Sequence, residues 1–373
     1  MENILELRKE FPVTRSKTFL NHAAYSPLPQ RVIDIMKKYN EDLSHFEIDE
    51  SKYSLGQEFF AKLIDGNKDE VALVPNTSTG LNIVANMLDY PQDSNIVTTD
   101  LEYPSVVYPW LKRKLGVEVR YVRNVDGRIL LEDVEKIVDD KTVVISVSHV
   151  EYVNGFRHDL RKLSEIAHEH GAYLVVDAIQ SLGAVPVNVA RDNVDFLTAS
   201  CYKWLLGPAG AGYLYVRREL VETFDPPFVG WASVEPEVFD TIEFWDIRRL
   251  RLSKTASRFE VGSPSFISFV GAAVSIQLLL SLGIENIQKR ILDLTELLID
   301  SVKDLDLRLT TPKDKDHRSG IVHFLIDDAQ RRSERLREKS IIVSARSNGL
   351  RVAPHFYNTK EEIEHLIREL KAT

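Results

Sequence analysis

Two hydrophobic periods alternate along most of the chain. Residues 30–43 carry Val32, Ile35, Met36 and Tyr39 at helical spacing, and 53–64 repeat the pattern and end near Gly66. The apolar run 71–74 then meets a polar turn, 76–80, after which Leu81, Val84, Ala85 and Leu88 share one helix face. Further on, short apolar runs at 95–98, 117–122, 142–147, 172–176, 194–199 and 212–216 alternate with helical patterns at 104–115, 131–138 and 160–170. Runs such as VVISV and YLVV have no polar face. The pattern predicts an α/β fold with a mostly parallel sheet covered by helices on both sides.

After residue 223 the alternation stops. The segment 224–260 is irregular, rich in Pro, Trp and Phe and then charged, and reads as a long excursion near a site or interface. Helical patterns at 267–282 and 284–304 follow. Strands at 307–310, 320–325, 341–343 and 349–353, with helices at 329–339 and 360–370, make a separate small α/β unit. We therefore expect an arm over 1–20 packing on the small domain, a large domain over 21–260, and a small C-terminal domain over 261–373.

Ligands of parallel α/β sheets bind at the carboxyl ends of the strands, so the residues just past each strand carry the chemistry. They are Thr77 and Ser78 in the turn that opens a helix, Tyr103 after 95–98, and His149, Tyr152 and Asn154 after 142–147. Asp177 and Gln180 follow 172–176, and Ser200, Tyr202 and Lys203 follow 194–199. A Ser/Thr turn at a helix N-terminus suits a phosphate, because the first backbone N–H groups are unpaired and the dipole favours an anion; equally, Thr77 or Ser78 could serve only as a helix cap. Lys203 sits in SCYKWLLGPAGAG among aromatic and backbone groups. Loss of hydration lowers a lysine pKa and makes a usable amine nucleophile.

Composition narrows the choice. In 373 residues, 47 basic against 56 acidic side chains give a net charge of −9 without a basic tract, which argues against a nucleic-acid partner. Cys201 is the one cysteine, so there is no disulfide framework and no CxxC metal pair. No metal set emerges; His168 and His170 read as a solvated helix end. GPAGAG precedes a strand and does not open a helix, so it is no dinucleotide fingerprint. No apolar run is long enough to span a membrane, and the charged N-terminus lacks a signal-peptide core. A cytoplasmic enzyme is the expectation.

From LNHAAYSPLP to RVAPHFYNTKEEI, and most specifically in SxxKWxxGPxG with VVDAxQ upstream, the chain resembles the class V aminotransferase family of pyridoxal-phosphate enzymes. That resemblance implies fold type I, the cofactor pyridoxal 5'-phosphate, a small amino-acid or keto-acid substrate, and a homodimer with shared active sites. It implies that Lys203 forms a Schiff base with the cofactor aldehyde and that Asp177 keeps the ring nitrogen protonated. Gln180 and Tyr152 would lie near the ring hydroxyl, and Tyr103 would stack on the ring. Thr77, Ser78, Ser200 and Tyr202 would surround the phosphate, with Ser263 reaching it across the dimer interface. Arg351 would grip the substrate α-carboxylate, and Asn21 and His22 in the arm would lie over the substrate.

Two departures bear on the reaction. Cysteine desulfurases of the family carry a cysteine on a mobile loop shortly before that arginine, whereas 341–350 reads IIVSARSNGL; Cys201 reads as structural. Tyr152 stands where desulfurases often have asparagine, as in the isopenicillin N epimerase-like branch. The expectation is an aminotransferase. The alternatives are a desulfurase-like or epimerase-like enzyme without the loop thiol, and a non-catalytic binding descendant, which the joint presence of Lys203, Asp177 and Arg351 disfavours.

Overall fold

The computed structural model describes residues 4–49, 52–235 and 248–372. Its centre is a seven-stranded sheet: β1 (Val71–Val74), β2 (Asn95–Thr99), β3 (Glu118–Val122), β4 (Thr142–Ser148), β5 (Tyr173–Asp177), β6 (Phe196–Ser200) and β7 (Gly212–Val216), in the order β1-β7-β6-β5-β4-β2-β3. The pairs from β3 to β6 are parallel; β7 runs against both of its neighbours. This is the mostly parallel, doubly covered sheet that the apolar runs predict.

Period-two geometry explains why those runs lack a polar face. Val97, Ile145, Leu174, Val176, Leu197 and Tyr213 feed one buried cluster, while their immediate neighbours Ile96, Val144, Val175, Phe196 and Leu214 feed a second on the opposite face. Helix Leu160–Glu169 contributes to the first and helix Thr77–Met87 to the second. The latter lies so close to the sheet that a Cβ on Gly80 would meet Thr198 Oγ1 at 2.3 Å, so glycine is required there.

Several predicted helices are shorter. The 104–115 pattern becomes Pro104–Val107, because Pro109 lacks the N–H needed to continue. The 53–64 pattern begins at Gln57, after Gly56 at φ +85°. The 131–138 pattern is Leu131–Glu135, and the strand at 307–310 reduces to a single bridge between Leu309 and Phe324.

A second division of the chain follows packing. Helix Phe266–Leu282 buries Phe269, Ala272, Ile276 and Leu279 in the same cluster as Phe60 and Tyr213. It thus packs with large-domain residues, although the expected small domain begins at 261. The small-domain core gathers Leu294, Leu298 and Val302 of helix Ile284–Lys303 with Val322, Phe324, Leu350, Val352, Ile363 and Leu366. The arm lies on that domain: Thr18 and Phe19 pair with Ile341 and Ile342, Phe11 stacks on Tyr357 at 3.8 Å, and Arg8 meets Glu362 at 2.9 Å. Among the described residues no single helix is long and apolar enough to cross a membrane. The tip of the 224–260 excursion, 236–247, falls outside the described residues.

Candidate active site

Lys203 owes its position to a tight turn at the end of β6. Leu206 N–H donates to Lys203 O at 3.0 Å and Gly207 N–H to Cys201 O at 2.8 Å. Leu206, fully buried, takes φ +58°, a left-handed conformation that costs a branched residue about 1–2 kcal/mol. Such strain persists only where surrounding packing fixes it, as at functional sites.

The turn leaves Lys203 8% exposed. Burial pulls its amine down to about 8, opposed by the Asp177 carboxylate and assisted by Arg351 and Arg346. Asp177, the last residue of β5, is 2% exposed, and burial raises its carboxyl to about 6 although Ile179 N–H donates to Oδ1 at 2.8 Å and Lys203 holds it down. Two buried groups of opposite charge thus each drive the other toward ionisation while burial drives both toward neutrality. Lys203 Nζ lies 5.7 Å from the Tyr103 ring and 5.9 Å from the Tyr202 ring. Tyr103 stays 45% exposed, leaving a ring face open beside the lysine, and Tyr152 meets it edge-on at 5.2 Å.

Hydroxyls converge beside the lysine. Thr77 opens the eleven-residue helix Thr77–Met87; its N–H donates to Ser200 Oγ at 2.7 Å, and the two hydroxyls are 2.9 Å apart. Ser78 is exposed, with its Oγ 2.7 Å from that of Ser105. Tyr202 stacks on Tyr25 at 5.1 Å.

From the small domain, Arg351 enters on the strand Gly349–Val352. Nη1 donates to Tyr152 O at 2.7 Å, tying the domains together, while Nε is buried with no hydrogen-bond partner. The residue is 2% exposed, and burial with neighbouring Arg346 lowers its guanidinium to about 10. Asn21 bridges to Ala353, and its buried Oδ1 also lacks a partner. A cleft of about 1020 Å³ between the domains is lined by Glu102, Tyr152, Asn154, Thr310 and His323 and touches this site at Tyr152.

Other expected residues sit elsewhere or are already engaged. His22 is engaged within the arm: Nδ1 faces Ala353 O at 2.8 Å and Nε2 faces Tyr357 OH at 2.7 Å, so both ring nitrogens are used in fixing the arm. Gln180 accepts from Trp204 Nε1–H and donates to Ala23 O, each at 3.0 Å, which leaves one amide N–H for a ring hydroxyl. Asn154 ties Gly127 O at 2.6 Å, and His149 points into the interior, where burial lowers it to about 3. Ser263 lies exposed ahead of helix Phe266–Leu282.

Two acids escaped the sequence reading. Glu102 accepts from Ser148 N–H and Oγ–H, both at 2.6 Å. Glu151 accepts from Thr99 Oγ1–H at 3.0 Å and lies 3.0 Å from His158 Nε2. Burial raises Glu102 well above the usual carboxylate range and Glu151 to about 8. Each clamps the strand end beside a site ring, Glu102 for Tyr103 and Glu151 for Tyr152. The only available signal was their adjacency to those tyrosines.

The family model described as Aminotransferase class-V matches residues 18–368. The chain belongs to the class-V aminotransferase family. It is 33% identical over 377 residues to an uncharacterized aminotransferase, YcbU, of Bacillus subtilis, covering 100% of this chain and 99% of that protein. It is 29% identical to a probable cysteine desulfurase of Pyrococcus abyssi, covering 98% and 96%. Its fold matches the apo cysteine desulfurase of Thermococcus onnurineus with TM-score 0.90 at 27% identity, covering 99% of this chain and 97% of that one.

The cofactor of this class-V enzyme is pyridoxal 5'-phosphate, and the residues present fit it. A buried amine beside a buried carboxyl, an open tyrosine face and hydroxyls at a helix N-terminus supply what an aldehyde, a ring nitrogen, a flat ring and a phosphate each require. Lys203, Asp177, Tyr103, Thr77, Ser78 and Ser200 are the residues that would hold it.

Proposed function

We propose that the protein is an aminotransferase acting on a small α-amino acid. One observation carries the reading: where a loop thiol would be needed for desulfuration, the chain folds as a tight hairpin, Ser344–Arg346 against Gly349–Val352, without a cysteine. The sole cysteine, Cys201, is buried, and burial pushes its thiol far above the ordinary range, so it is no nucleophile.

Bound pyridoxal phosphate supplies the aldehyde that takes up an amino group and the electron sink for the resulting carbanion. The chain's own groups do the rest. Lys203 Nζ, held near 8, is neutral in an appreciable fraction at neutral pH and can take and return a proton. Asp177 offers a buried negative charge for a cationic ring nitrogen. Arg351 offers a carboxylate its free Nε–H, and its tie to Tyr152 orients the guanidinium. Glu102 and Glu151 hold the two tyrosine loops against the site.

The test is a panel of amino acids added to the loaded protein, with product analysis. Formation of the matching keto acid supports transamination. Sulfide and alanine from cysteine would replace it with the second reading, a desulfurase-like lyase, which the likeness to the Thermococcus enzyme favours. We also propose a homodimer: Phe228, Trp231, Val261 and Phe266 are exposed near Ser263, and a second copy covering them would carry Ser263 toward its partner's site. Sedimentation as a monomer at micromolar concentration would refute that.

A further inference from the structure

The small-domain sheet carries one arginine more than the carboxylate reading uses. In an antiparallel pair, directly opposed residues share a face. Ser344 opposes Arg351, Arg346 opposes Gly349, and Arg351 opposes His323. Hence Ser344, Arg346, Arg351 and His323 occupy one face, while Ala345, Leu350 and Phe324 on the other join the small-domain core. Arg346 and Arg351 stand diagonally, about 7–8 Å apart at Cα, within reach of long side chains.

The placement of Arg346 is built. Ser347 at φ +41° and Asn348 at φ +61° form a two-residue corner, and Arg346 and Gly349 close it. His323 Nε2 faces Arg346 O at 2.8 Å while Nδ1 faces Thr310 Oγ1 at 2.7 Å. A Cβ on Gly349 would lie 2.7 Å from that imidazole and 2.2 Å from Phe324 O, so glycine is what lets the ring seat beneath the arginine. The guanidinium itself is exposed; its Nη1 donates only to Ala345 O at 2.9 Å, and among the described residues no carboxylate pairs with it. Beside it, Ser344 Oγ and Arg351 Nε are buried without partners. Arg346 is also near enough to lower both Lys203 and Arg351.

Two guanidiniums and a free hydroxyl on one face, with no carboxylate among the described residues paired to either guanidinium although Asp327, Asp328 and Glu334 line the depression beside Arg346, call for a ligand with two negative groups. We propose that the substrate is an acidic α-amino acid, its α-carboxylate on Arg351 and its distal anion on Arg346, with Ser344 Oγ–H as an added donor. This rests on the aminotransferase reading for the role of Arg351 and deepens it by naming the substrate class and Arg346 as the residue that selects it.

A binding experiment separates the two. Calorimetry on the cofactor-loaded protein compares succinate with butyrate, which have four carbons each and differ in one carboxylate. Succinate is expected to bind about tenfold tighter or better. Arg346→Gln is expected to remove that advantage and leave butyrate within about twofold, whereas Arg351→Gln weakens both. Equal affinity of the two ligands, failure of both to bind, or a preference that survives Arg346→Gln would overturn the assignment. No turnover is needed, so an enzyme that yields no keto acid from any amino acid would sink the aminotransferase reading while leaving the succinate result standing.

Discussion

Two sets of buried polar side chains differ in how their hydrogen bonds are spent. On one side, His22, His355 and Tyr357 are closed on themselves: His22 uses both nitrogens, His355 Nε2 faces Trp204 O at 3.0 Å, and Phe356 N–H donates to His355 Nδ1 at 2.8 Å. Burial lowers both histidines, so they stay neutral. On the other side, Lys203, Asp177, Arg351 and Asn21 keep shifted charges or unpartnered atoms. Buried polar groups are normally satisfied. A cluster that is satisfied holds the arm and domains together; one that is not awaits something to bind. Substitutions on the two sides should therefore fail in different ways.

The largest effect belongs to Lys203. Replacing it with Met should cut turnover by ~10⁴-fold or more while the protein stays folded. It should also alter the pH dependence of stability in the cofactor-free form. The folded amine titrates near 8 against 10.5 unfolded, so over that interval the unfolded chain binds more protons and stability rises with pH. Lys203→Met should abolish the rise, by roughly 3 kcal/mol between the two ends. Denaturant titrations at pH 7 and 10.5 read it; parallel curves for the two proteins would place this lysine with the satisfied cluster.

Arg351→Gln comes next. It removes the charge whose Nε–H is free and should lower kcat/KM by about 10- to 100-fold, chiefly through KM, with little loss of melting temperature beyond its Tyr152 contact. An unchanged KM with a collapsed Tm would mean that the guanidinium is structural. His22→Ala is the mirror image. It strands Tyr357 OH, leaves Ala353 O with only the backbone N–H of residue 22, and opens a cavity, so about 2–4 kcal/mol of stability should go, while the folded fraction keeps kcat/KM within about threefold. A large kinetic loss at full stability would place His22 at the substrate site.

The contrast between Lys203 and Asp177 on the one hand and His22 on the other shows what a sequence exposes. Lys203 and Asp177 end apolar strands, and strand ends in a parallel sheet face one edge, so position along the chain is enough to bring them together. Asn21 and His22 are neighbours on an arm, where the Asn21 backbone pairs with Ala353 and the direction of the His22 ring is set by Ala353 O, more than 330 residues away. The packing of helix Phe266–Leu282 is hidden for a related reason: it is apolar all round, so periodicity does not tell which core it fills. The short helix at Pro104 was legible in principle, because Pro109 was in view. The acids Glu102 and Glu151 were not; a buried neutral carboxyl reads in sequence like any solvated glutamate.

The smallest effect tests Cys201, which lies within the lysine turn yet belongs to neither cluster. Its side chain is fully buried in the main core, and a Cβ on Gly207 would lie 2.8 Å from its own. It fills space, and its burial-raised thiol gives almost no thiolate at neutral pH. Cys201→Ala should cost about 1 kcal/mol, the loss of one buried sulfur with little room to collapse, and change kcat by less than about twofold. Thermal melts and initial rates with the best amino acid decide it. A drop in rate beyond tenfold, with Tm intact, would make the thiol a working group and return the desulfurase reading to first place, because no other cysteine exists to carry sulfur.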